Sequence, residues 1–253
     1  MRTVLFDLPI LDPQWAASLE QAHASHHCRP ACDSRPHFTS LEAATSEPMT
    51  RIAEVLRSGD LDATRREIAG FVQDGMLSEF HELNFYALVE GIAASRGLEE
   101  IARLEAVGGR RTDSRIAQLE IEVADHQTAA AAFLEGALHA ASTPHQRVVA
   151  HENRASLALM KGDAHTAVIS LIAALRVEQT ETLWANLLLA LERVGAMNDL
   201  DHVLDVLGTA CTPRLLSVIS EEDRDFDKVR ERPAYRRFLA RARAHLGGDG
   251  PRC

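Results

Sequence analysis

Two stretches of the chain share one arrangement of residues, and their separation constrains the fold more than any other feature. Asn186 follows Asn153 by 33 residues, and Gly195 follows Gly162 by the same interval. Each asparagine lies in a run with helical apolar spacing, and each glycine separates that run from another. A helix, a glycine turn and a second helix, repeated at such an interval, indicate a helical solenoid whose hairpins bury their apolar faces against one another.

Further helix pairs are predicted on both sides of these two stretches. Glycine or aspartate at the turns ends each first helix. The predicted turns contain Gly59, Gly97, Asp125, Gly162 and Gly195. The predicted pairs are 48–58 with 61–74, 78–95 with 98–107, 113–124 with 127–141, 146–161 with 164–178, and 181–194 with 198–208. Alanines seven residues apart mark the faces where two helices approach closely. These are Ala130 with Ala137 and Ala167 with Ala174.

The whole pattern predicts an all-α protein, a right-handed solenoid of about five stacked antiparallel helix pairs with a C-terminal capping helix. Three segments follow from it: an N-terminal extension (1–47) with a helix and a His/Cys-containing loop, a repeat domain (48–246), and a flexible tail (247–253). The repeat domain contains the best-matched repeats (113–207) and a capping segment (213–246). We expect the extension to make a second contact or to cover an open edge of the solenoid.

Composition narrows the class of protein. Hydrophobic residues make up 46% of the chain but aromatic residues only 5%, which favours helices packed through alanine and leucine. The formal net charge is −10 and the pI is about 5.6, so no nucleic acid is expected as a partner. No apolar run reaches the length of a membrane span, and no secretory signal is evident. With only four cysteines, a reducing cytoplasmic location is expected.

The best pairs resemble tetratricopeptide repeats. In that family a large residue and an asparagine lie in the first helix, a glycine forms the turn, and alanines recur in the second helix. The matching residues here are Trp184, Asn186 and Gly195 in one repeat and Asn153, Gly162, Ala167 and Ala174 in the other. His151 departs from the pattern, as it stands where the family has a large residue. The run Arg232-Pro233-Ala234-Tyr235 is similar to the closing segment of many bacterial repeat proteins of this kind.

The resemblance implies a non-catalytic adaptor or scaffold that binds a protein or peptide in a concave groove. Separately, uncapped apolar surface at the N-terminal end of the repeats raises the hypothesis of a homodimer, and no membrane contact is expected. Side-chain amides can pair with the backbone of an extended peptide. The residues implied to face the groove are Asn153, Asn186, Glu152, Ser156, Leu159 and Leu189. The alternative is that the asparagines bind neighbouring helices or water only.

A second hypothesis concerns the N-terminal loop between His23 and His37, which holds four of the twelve histidines. Imidazole and thiolate are the ligands that zinc and copper prefer. The candidate metal ligands are His23, His27, Cys28 and Cys32, of which the histidines share a helix face. The protein would then be a metal-handling or metalloenzyme accessory protein. A polar surface loop and a Cys28–Cys32 disulfide are the alternatives.

Other candidates for chemistry are weaker. The chain contains no phosphate-binding glycine loop and no nucleophile elbow, and no enzyme activity is expected. Glu79, His81 and Glu82 are interpreted as the polar start of a helix, and Cys211 as a packed thiol. The arginine-rich segment from Arg224 to Arg243 is interpreted as a solvated face, with an acidic partner as the alternative.

Overall fold

A computed structural model describes residues 47–108, 110–220 and 224–248. Over these residues the prediction of an all-α protein is confirmed, since the chain forms eleven α-helices, a short 3₁₀ helix (Arg224–Phe226) and no strand. The helices are α1 (Glu47–Ser58), α2 (Leu61–Gln73), α3 (Glu79–Val107), α4 (Arg110–Ala140), α5 (Pro144–Met160), α6 (Ala164–Leu175), α7 (Glu181–Val194), α8 (Met197–Ala210), α9 (Pro213–Ser220), α10 (Asp227–Arg230) and α11 (Pro233–Gly248).

The described residues fall into two compact units. Residues 47–161 belong to one, here called the first unit, and residues 162–248 belong to the other, the second unit. The division lies between Lys161 and Gly162, inside the predicted fourth helix pair. The two helices of that pair therefore belong to different units.

Local sequence explains where the helices of the first unit begin and end. Gly59 has φ +84°, a left-handed conformation that glycine adopts without a steric penalty, and it closes α1. The side chains of Asp60 and Ser78 accept hydrogen bonds from the first-turn amides of α2 and α3. Thr143 and Gln146 form a reciprocal capping box at the start of α5. The predicted pair 48–58 and 61–74 is confirmed within one residue at each end.

The next two predicted pairs are wrong, because each is one long helix. α3 continues through Gly97 and contains 29 residues, and α4 continues through Asp125 and contains 31 residues. At a rise of 1.5 Å per residue these helices are about 43 and 46 Å long. The first of these helices ends at Gly108, which has φ +68°, where the sequence also predicted a break.

The real role of Gly97 is to let α3 and α4 approach each other. A Cβ atom added at Gly97 would lie 2.4 Å from Cγ2 of Val123, which no packing tolerates without movement. Gly136 on α4 is similarly close to Leu83 on α3, at 3.1 Å from its Cδ1. Between these points Ala87 packs against Ala130. Small residues therefore fix α3 and α4 as a close antiparallel hairpin.

Larger side chains fill the space beside this hairpin. Ile52, Ile68 and Leu88 form a buried cluster between α1, α2 and α3. On α5, Ala150 packs with Phe80 and Ala137. Leu157 and Met160 of the same helix join two further clusters with α3 and α4. The buried alanines at 130 and 137 thus occupy helix contacts, as their spacing predicted.

The second unit is built around α7. Every residue from Leu183 to Leu191 is buried, and α7 contacts α6, α8, α9 and α10. A helix that is apolar on all sides is expected to be enclosed in this way. Gly195, with φ +77°, ends α7 as predicted. Ala167 and Ala174 are fully buried on α6.

The C-terminal helix α11 packs along α8. Gly208 makes this possible, since a Cβ there would lie 3.0 Å from Cβ of Arg241. Ion pairs then line the contact. Arg232 donates two hydrogen bonds to Asp201, and Arg237 donates two to Asp205, at 2.7–3.0 Å. Arg230 donates to the Ile219 carbonyl and Arg241 to the Asp205 carbonyl, so at least four of the seven arginines in this segment bond within the chain.

We predict that Gly97→Ala destabilises the protein by about 1–3 kcal/mol, because the added methyl group overpacks the contact with Val123. Gly70→Ala is the matched control, since it lies within α2 with nothing within 4 Å of the added Cβ. That change should stabilise by up to about 1 kcal/mol through helix propensity. Urea unfolding measures both, and Val123→Ala should rescue Gly97→Ala. Equal stabilisation by both glycine substitutions would contradict the close approach.

We further predict a pH-dependent contribution from Asp205. The hydrogen bond from Arg237 lowers the pKa of this carboxyl, so the pair stabilises the fold above the unfolded-state pKa and loses its effect as the pH falls through the folded-state pKa. Arg237→Gln should lower the free energy of unfolding measured with urea at neutral pH, and this loss should shrink in acid. The exposed neighbour Arg236 gives the control, and Arg236→Gln should cost nothing at either pH.

Candidate interaction site

The six residues predicted to face a groove are all buried. Their exposed fractions are 8% or less, and they are Glu152, Asn153, Ser156 and Leu159 on α5 and Asn186 and Leu189 on α7. Four of these residues belong to the first unit and two to the second, because the division between the units separates α5 from α7. Neither group offers accessible surface in this conformation.

Asn153 is engaged inside the first unit. Its side-chain amide donates to Oδ1 of Asn84 on α3 at 2.8 Å, and the two residues are 1% and 6% exposed. Burial strengthens such a bond and makes the loss of one partner costly. Of the two roles that the sequence left open for Asn153, the contact with a neighbouring helix is the one present here.

A second polar contact crosses the first unit at Glu90 of α3. Its carboxylate accepts a hydrogen bond from Arg65 of α2 at 3.0 Å and contacts Nδ1 of His126 on α4 at 2.6 Å. The Glu90 side chain is only 13% exposed. Desolvation opposes the charge on Arg65, but the bonds to Glu90 and Asp62 leave its pKa raised. This contact ties three helices together.

Large apolar side chains are exposed at the end of the α3–α4 hairpin, residues 102–108 and 110–121, here called the hairpin end. The large apolar side chains most exposed there are Val107 at 71% and Ile121 at 64%. Leu119, two positions before Ile121, is buried at 5% and faces the other helix. Ile121 therefore lies on the side of α4 turned away from α3.

Ile121 has apolar and acidic neighbours on this outer side of α4. Ala117 and Ala124 are exposed one turn before and after it. Asp113, Glu120 and Asp125 are exposed to either side. Between Thr112 and Thr128 the only guanidinium belongs to Arg115, which pairs with Glu122 at 3.4 Å. We call Asp113, Ala117, Glu120, Ile121, Ala124 and Asp125 the outer face of α4.

Sequence reasoning missed the outer face of α4, although five of its six residues lie within the predicted helix 113–124. Read as one continuous helix, Leu119, Val123, Ala130 and Leu134 form the seam toward α3, and Ile121 falls outside that seam. The signal was present in the periodicity.

The proposed metal ligands His23, His27, Cys28 and Cys32 lie outside the described residues. Within 47–108, 110–220 and 224–248, no three His, Cys, Asp or Glu side chains come together in a way that could hold a metal ion. His81 contacts the hydroxyl of Ser78 through Nδ1 at 2.7 Å, and burial lowers its pKa. This is the capped helix start that the sequence predicted there.

Cys211 is 2% exposed, and burial raises the pKa of its thiol to about 11. Since the thiolate is the reactive form, this cysteine is a packed thiol, as its setting predicted. Among the described helices, none has both the length and the apolar character needed to cross a membrane.

Comparison of the chain with protein-family models, curated proteins and solved structures gave no match.

We predict that Asn153→Ala lowers the free energy of unfolding by about 1–3 kcal/mol, because it leaves the buried Asn84 carbonyl without this bond. The double variant Asn84→Ala/Asn153→Ala should cost less than the sum of the two single changes. Asn198→Ala, at an exposed asparagine of α8, is the control and should be neutral. Full additivity in urea unfolding would show that the two amides do not act as a pair.

Proposed function

We propose that the protein is a non-catalytic interaction module, an adaptor or scaffold built from helical hairpins of the tetratricopeptide type. The two helix–glycine–helix units with their turns at Gly59 and Gly195 support the hairpin class. The buried Ala167 and Ala174 on α6 support it as well, because alanines recur at this spacing in the second helix of such repeats. The solenoid arrangement and the cytoplasmic location are part of this proposal.

The observation that carries the proposal is the exposure of Val107 and Ile121 at one end of a long, closely packed hairpin. The small residues along the seam stabilise the hairpin as a stiff support. Covering water-exposed apolar side chains lowers the free energy, so exposed apolar residues on such a support favour the binding of a partner. Recognition by the buried groove residues would instead require Asn153 and Asn186 to leave the interior.

The partner is therefore a protein or peptide that contacts the hairpin end. Charged side chains around Ile121 would give this contact its selectivity, since rim charges steer association and suppress wrong partners. Self-association is included, because a second copy of the chain is one such partner.

We predict that partner capture depends on the hairpin end. The intact chain should enrich specific proteins from extracts of its native host, and Val107→Asp/Ile121→Asp should lose them. Both residues are exposed, so the variant should keep its helical circular dichroism spectrum. Met76→Asp is the matched control, since Met76 is 51% exposed on the loop before α3, and it should capture the same proteins as wild type.

The same capture experiment tests the competing function when Cys28→Ser is added and the metal content of each eluate is measured. Metal at about one equivalent per chain that is lost in Cys28→Ser, with no capture that depends on Ile121, would replace the adaptor proposal by metal handling through the N-terminal loop. Equal capture by wild type, Val107→Asp/Ile121→Asp and Met76→Asp would show that the partner contacts a surface other than the hairpin end.

A further inference from the structure

The outer face of α4 combines one exposed aliphatic side chain with carboxylates on both sides. Ile121 is 64% exposed, and it projects beyond its exposed neighbours Ala117 and Ala124 because their side chains are short. At 100° per residue, Asp125 lies about 40° to one side of Ile121, and Asp113 and Glu120 lie about 80° and 100° to the other. This is an apolar centre with an acidic border.

The charge balance on this face is uneven. Arg115 is the only arginine from Thr112 to Thr128, and its guanidinium already pairs with Glu122, which also accepts from Gln118 at 2.8 Å. Within the described structure, Asp113, Glu120 and Asp125 make no ion pair or hydrogen bond through their side chains. A second copy placed on this face would bring further carboxylates toward them.

We propose that the outer face of α4 binds a basic amphipathic helix of a partner protein. Such a helix carries aliphatic residues along one face, which would cover Ile121, and Lys or Arg at both borders, which would reach the carboxylates. Helix-on-helix recognition uses anchors at this spacing. Opposite charges on the two surfaces speed encounter and reject acidic segments. This inference rests on the proposed function and names the class of partner.

The test uses two synthetic probes with purified protein. One is an amphipathic helical peptide of leucine and lysine, and the other is its leucine–glutamate counterpart. Wild type should bind the lysine peptide and not the glutamate peptide, with affinity that falls as salt is added. A photo-crosslinking residue at Ala117 should attach to the lysine peptide, and one at Met76 should not.

Two variants locate the binding. Ile121→Asp and the double variant Glu120→Lys/Asp125→Lys should each weaken binding of the lysine peptide by about ten-fold or more, a change of about 1.4 kcal/mol or more. Glu54→Lys/Asp74→Lys alters the net charge equally at two exposed sites, one on α1 and one just after α2, and should bind like wild type. Thermal unfolding checks that all variants remain folded.

Equal weakening by the two double variants would overturn the inference, because net charge alone would then explain the binding. Equal binding of both peptides would overturn it too, since the acidic border would play no part. Host proteins lost in Val107→Asp/Ile121→Asp, together with no binding of the lysine peptide, would reject the partner class and leave the proposed function standing. If the lysine peptide binds as expected but no host protein depends on Ile121, the proposed function fails.

Discussion

The close approach of α3 and α4 is the constraint on which the first unit depends. At Gly97 the Val123 side chain occupies the space that any other residue would fill, and Gly136 receives Leu83 in the same way. Because the two helices are held so near each other, one side of the pair is left for α2 and α5 to cover. The opposite side of α4 remains at the surface, and this is how a packing contact determines which residues a partner can reach.

The polar interior supports the same arrangement in a different way. The Asn84–Asn153 bond joins α3 to α5, and Glu90 joins α3 to both α2 and α4. Apolar contacts tolerate a shift of one helix along another, whereas a buried hydrogen bond has one correct register. These two contacts specify the positions of the neighbouring helices. The Asn84–Asn153 bond also shows how an asparagine inside a helix can be used for packing without touching a ligand.

Much of the helical content could be predicted from the sequence, and the failures share a cause. Gly59 and Gly195 end helices, and the α7 boundaries agree with those predicted. Gly97 and Asp125 do not end helices, because the packing of α3 on α4 outweighs a local preference of about 1 kcal/mol. Glycine signals a turn and a close helix contact equally well, and only the partner residue decides between them. The candidate site could not be placed from the sequence, because tertiary contacts such as that between Gly97 and Val123 decide which side of α4 packs on α3.

The packing of α11 along α8 has a consequence for folding during synthesis. Leu200, Val203 and Leu207 of α8 are fully buried, and α11, which packs along that helix, contains the last described residues of the chain. During synthesis from the N-terminus, α8 leaves the ribosome well before α11 can reach it. Until then its apolar side stays open to water and to other chains, as in any incomplete folding unit. Asp201 and Asp205 place negative charge beside this exposed apolar surface. Such charges oppose aggregation of α8 until Arg232 and Arg237 have been synthesised and can pair with them.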